Sequence, residues 1–87
     1  MQGVKRKIIF FWLTHIFLRR IGKRYPAYFN KWMKELTDDN TARKIMAMRY
    51  TGEDQPKFEC IAFNLNVAIR RVFEKHKMVV DRIIGDV

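Results

Sequence analysis

RKIMAMRY at residues 43–50, TGEDQP at 51–56 and KFECIAF at 57–63 form the stretch on which the fold turns. Gly52 and Pro56 punctuate a turn between two apolar arms. The second arm alternates, with Phe58, Cys60 and Ala62 on one face and Ile61 and Phe63 on the other. This pattern predicts a β-hairpin, and with it an α+β fold. The first arm opposes that reading, because Ala, Met, Arg and Lys are good helix formers. A mostly α chain with a short helix over 43–50 is therefore the alternative.

Outward from this stretch the elements are helical. Asn64 or Asn66 caps a C-terminal helix running to Ile84, with Gly85 at its end. Leu65, Ile69, Val72, Phe73, His76, Val80 and Ile83 form its apolar face. Arg70–Glu74 and Lys77–Asp81 are i,i+4 pairs on its flank, and Arg71, Lys75 and Arg82 lie opposite the core. Before the hairpin, Pro26 suits the first turn of a helix with Tyr25, Tyr28, Phe29, Trp32, Met33 and Leu36 as its stripe. Residues 37–40 stop it.

The first helix is expected from Val4 to about Gly22. Ile8 to Leu18 is apolar except for Thr14 and His15, and its eleven residues cover about 16 Å of a roughly 30 Å hydrocarbon core. That run is too short to span a membrane. At 100° per residue, Ile9, Trp12, Leu13, Ile16 and Phe17 share one face, while Phe11 and Leu18 point the other way. Phe11 and Leu18, together with Trp12, are candidates for docking a partner. Residues 1–87 read as one small basic domain in the order α-α-β-β-α.

Charge is segregated along the chain. Residues 1–34 hold nine Lys and Arg and no acid, whereas residues 35–87 hold nine of each sign. The whole net charge of +9 therefore sits in the N-terminal third. Such asymmetry points to a polyanionic partner, although a solubilising role is the plainer reading. Eight of the twelve aromatics lie between positions 10 and 32, in the same third. Cations along a phosphate track with aromatic faces for bases are the ingredients of nucleic-acid grooves. Membrane-surface helices use the same two. Any single ring is more often core.

The densest cluster is Arg19, Arg20, Lys23, Arg24 and Tyr25, at the junction of two helices, where phosphate oxygens would be well received. Lys5, Arg6 and Lys7 flank the other end of the apolar run. Tyr28 is placed to stack on bases, with Lys31 beside it, and Arg71, Lys75 and Arg82 extend the candidate nucleic-acid surface. His15 is placed to touch a phosphate or a headgroup.

Catalysis finds little support. The chain has no serine, and its one cysteine, Cys60, reads as a buried structural thiol. His76 lies in an apolar stripe, as a hydrogen-bonded core histidine does. Two histidines and one cysteine give no metal motif, and four isolated glycines give no phosphate loop. The acid pairs Asp38/Asp39 and Glu53/Asp54 are explained by capping and solvation. No catalytic residue, metal or cofactor is expected.

Arg19 and Arg20 stand where a signal peptide would carry small residues, and a chain without serine does not resemble an organellar presequence. The expected setting is intracellular, with the compartment open. Three function classes follow. The first is a non-enzymatic nucleic-acid-binding protein, RNA ahead of DNA, working within a larger ribonucleoprotein or macromolecular assembly. The second is a protein-interaction subunit or small inhibitor, docking through the first helix and prone to self-association. The third is a protein lying on an anionic membrane surface.

Overall fold

A computed structural model describes residues 2–52 and 54–85, and the regular structure among them is entirely helical. The first helix comprises α1 (Gln2–Trp12), a π-helical turn (Leu13–Phe17) and α2 (Leu18–Arg24), without a break between them. Then come α3 (Pro26–Leu36), α4 (Asn40–Tyr50), α5 (Phe58–Leu65) and α6 (Ile69–Ile84).

The expected hairpin, and the α+β class with it, is thus overturned: both arms are helices. Asp39 decides the first arm. Its carboxylate accepts from the Thr41 N–H at 2.9 Å and the Ala42 N–H at 3.2 Å, an N-cap that starts α4 ahead of the good helix formers 43–50. The second arm carries two periodicities at once. Phe58, Ile61, Ala62 and Leu65 also stand at i, i+3, i+4 and i+7, and these residues pack against Ile45 and Val72. With α4 helical, a strand over 57–63 would have no ladder partner, whereas a helix satisfies its backbone internally.

Asn66 ends α5 as a left-handed C-cap at φ 56° rather than capping α6, which begins three residues later at Ile69. Gly22 does not close the first helix, which continues to Arg24. It is buried because α2 crosses α4 there: a Cβ at position 22 would fall on the Tyr50 carbonyl.

Helix α4 is the hub, touching α2, α3, α5 and α6. Its Ala42, Met46 and Tyr50 join Leu13, Leu18, Phe29, Met33, Val79 and Val80 in the main core, while Ile45 turns toward the smaller α5–α6 cluster. Each large side chain buried this way contributes about 1.5–3 kcal/mol. Polar staples hold the rim. Lys75 pairs with Asp39, Arg82 donates to the Leu36 carbonyl at 2.6 Å, and Arg6 donates to the Gly85 carbonyl at 2.8 Å. The two i,i+4 pairs of α6 form as expected, at 3.3 and 3.2 Å. No described helix is long and apolar enough to cross a membrane.

Candidate nucleic-acid interface

The π turn sets the geometry of the surface. The Leu18 N–H bonds to the Leu13 carbonyl, five residues back, and the Thr14 hydroxyl donates to the Phe10 carbonyl at 2.9 Å, loosening the α ladder. In an unbroken α-helix, positions four apart drift by about 40° per step, so Lys7 and Lys23 would stand about 160° apart. A π turn accommodates one extra residue and recovers about 100° of that drift. Lys7, Phe11, His15, Arg19 and Lys23 consequently form one exposed stripe, and so do Ile8, Trp12, Ile16, Arg20 and Arg24. The residues between them, from Ile9 and Phe10 to Ile21 and Gly22, turn inward.

This phase corrects the expected faces of the helix. Leu18 is fully buried in the main core and cannot dock a partner. Ile16, placed on the inner face, is exposed; Trp12, placed on that face yet also a docking candidate, is exposed, and so is Phe11. Phe11 stacks on His15 with ring centroids 4.2 Å apart, and the His15 Nδ1 donates to the Phe11 carbonyl at 3.2 Å.

Three cavities follow one another along the stripe. The first, about 410 Å³, is lined by Arg6, Lys7, Phe10, Phe11 and Lys77; its one acid, Asp81, is paired with Arg6 at 3.4 Å and Lys77 at 3.2 Å. The second, about 310 Å³, is lined by Phe10, Thr14, Phe58, Phe73 and His76. The third, about 360 Å³, gathers Arg19, Arg20, Lys23 and Arg49 beside Gln55. His15 lines all three, and Arg49, Tyr50 and Gln55 line both the second and the third. Together they form a groove with cations at both ends and aromatics in the middle.

The floor of the middle section is a buried polar pair. The Tyr50 hydroxyl and the His76 Nε2 are 2.6 Å apart, and the Arg49 guanidinium lies beside them. Burial, reinforced by Arg49, holds the His76 imidazole down to about 4, and burial pushes the Tyr50 phenol up to about 12. The pair is therefore neutral near pH 7. Arg49, a donor only, leaves the phenol to donate its proton to Nε2. Arg49 is itself held by donation to the Pro56 carbonyl and by its position 4.3 Å from the Phe58 ring centre.

The residues singled out from sequence separate into three groups. Lys7, Arg19, Arg20 and Lys23 line the groove, with Arg6 at its rim and Phe11 along its stripe. Arg24 adjoins it on an open surface shared with Arg20 and Lys23, and Lys5, Tyr25, Tyr28, Lys31 and Arg71 are exposed without lining it. Lys75 and Arg82 are engaged in the staples of the rim. Cys60, expected buried in a strand, is exposed on α5, and Glu53 lies outside the described residues. Arg49, Gln55, Phe58 and Phe73 were missed, since only the packing of α4 and α5 brings them to the groove. Among the described residues no group of three or more His, Cys, Asp and Glu could hold a metal ion. No family model, curated protein or solved structure matches the chain.

Proposed function

We propose that the groove binds single-stranded nucleic acid, RNA ahead of DNA, as a non-enzymatic binding module in an intracellular assembly. The observation that carries this reading is the order of chemistry along one groove: Lys7, then Phe11 with Phe10 and His15, then Arg19, Arg20, Lys23 and Arg49. Single strands are held by cations that track phosphates and rings on which unstacked bases lie. From Lys7 to Lys23 the groove follows about 24 Å of helix axis, room for a short segment of about four nucleotides. A duplex would present no splayed base to the middle section.

The test is a salt titration of binding to a short unstructured RNA. Affinity falls log-linearly with salt, because each phosphate contact releases counterions. Replacing Arg19, Arg20 and Lys23 together by Gln flattens that slope by about two units, at roughly 0.7 per contact. Affinity that ignores salt, or a slope unchanged in the triple variant, sinks the reading.

A second reading rests on a different observation. Val4, Ile8, Trp12 and Ile16 stand on one stripe of the first helix and are 56, 64, 47 and 43% exposed. Flanked by Lys5, Lys7, Arg19 and Arg20, such a stripe suits the headgroup level of an anionic membrane. A blue shift of Trp12 emission with anionic vesicles, measured in Trp32→Phe, supports it; no shift at low salt removes it.

A further inference from the structure

We propose that the cationic end of the groove takes a phosphomonoester, the terminal phosphate of an RNA strand, with the base of that nucleotide in the adjoining aromatic section. This rests on the single-strand reading and adds that the groove grips an end of the strand.

A phosphodiester inside a strand carries one negative charge, whereas a terminal monoester carries about 1.5 to 2 near pH 7. Four cations, Arg19, Arg20, Lys23 and Arg49, line one cavity of about 360 Å³, and none of them forms an ion pair among the described residues. That is more positive charge than one diester balances. Three of the four are arginines, whose planar guanidinium forks match phosphate oxygens in pairs. Arg49 also keeps a buried Nε–H with no acceptor among the described residues.

The cationic cavity and the aromatic one share His15, Arg49, Tyr50 and Gln55, so a group seated on the cations has its attached nucleoside directed toward Phe10, Phe58 and Phe73. Each cavity lies in the size range of small-ligand pockets, at about 300 Å³ or more. The aromatic cavity also counts Arg49 and Lys77 in its lining, so a base seated on its rings lies with cations beside it.

One chemistry has two sources here, the end of a strand and a free nucleotide, and the experiment separates them. Octamers of one unstructured sequence, bearing 5′-phosphate, 3′-phosphate or hydroxyl ends only, are titrated by fluorescence anisotropy alongside a nucleoside 5′-monophosphate. The expected result is about tenfold tighter binding of one phosphate-ended octamer over the hydroxyl-ended one. The monophosphate competes for it at higher concentration. In Arg19→Gln/Lys23→Gln, whose side chains are exposed and leave the core untouched, the preference falls below about threefold while hydroxyl-ended RNA still binds. Equal, salt-dependent binding of all three octamers overturns end recognition and leaves the single-strand reading standing. Binding of the monophosphate with no binding of any octamer overturns the single-strand reading and assigns the site to a free nucleotide. A preference that survives in the double variant overturns the placement of the phosphate.

Discussion

Among the described residues the His76 imidazole takes one hydrogen bond, from Tyr50, beneath Phe10 and Phe58, and its burial couples folding to pH. Its pKa is about 4 in the fold, against about 6.5 in the unfolded chain, so the unfolded state takes up the proton first. The associated stability is fully present above pH 6.5 and is lost as pH falls toward 4, by about 2–4 kcal/mol. Urea midpoints measured from pH 7 to 4.5 should fall across that window. In His76→Gln, which keeps an acceptor for the Tyr50 hydroxyl, the fall should largely disappear; an unchanged fall would place its source elsewhere. Asp39 acts in a lower window. Lys75 holds its carboxyl below the ordinary 3.8, so its contribution is lost only as pH falls below that value. Gly22 makes a different demand at the same scale. Alanine is the better helix former by about 1 kcal/mol, yet Gly22→Ala should destabilise by about 1–3 kcal/mol, because its methyl group strikes the Tyr50 carbonyl. A stabilised alanine variant would show that the crossing has slack.

At the scale of elements, the first helix shows what sequence reading reached and where it stopped. Its existence follows from the apolar run, but a period of 3.6 places Leu18 outside and Trp12 inside. The residues in fact repeat by four: Ile9/Phe10, Leu13/Thr14, Phe17/Leu18 and Ile21/Gly22 alternate with Phe11/Trp12, His15/Ile16, Arg19/Arg20 and Lys23/Arg24. That signal was present and points to a π turn, since no uniform α-helix keeps a period of four. Helix α5 fails for another reason: its residues satisfy both strand and helix periods, and only the cap at Asp39, in a different element, decides between them. The two exposure outcomes give a paired test. Leu18→Ala should cost about 2–5 kcal/mol, and Phe11→Lys should stay within about 0.5 kcal/mol while weakening RNA binding. Denaturant unfolding of both variants checks it. If Phe11→Lys unfolds the protein or Leu18→Ala does not weaken it, the helix faces are wrongly drawn.

For the molecule as a whole, the segregated charge was legible as soon as the acids were counted, and the cationic ends of the groove with it. The groove's far wall was not, because Arg49, Phe58 and Phe73 come from α4, α5 and α6, distant in sequence and joined only by packing. A ligand that binds only the folded state at about one hundred times its Kd stabilises by about 2.7 kcal/mol. For a domain of this size that is a rise in Tm of roughly 10–20 °C. Short single-stranded RNA at low salt should produce such a rise, and about 0.5 M salt should abolish it. A Tm indifferent to RNA at low salt would count against the groove.

The helix crossing at Gly22 has an electrostatic side. It sets α2 against the C-terminal end of α4, where Tyr50 and Gly52 line the same cavity as Arg19, Arg20 and Lys23. The aligned peptide dipoles of a helix leave about half a negative charge at that end. Four cations crowded together repel one another, and this partial charge offsets some of the repulsion, with no carboxylate among the described residues that line the cavity. The cluster is thereby held in place while empty, by a counter-charge that an arriving phosphate has no need to displace.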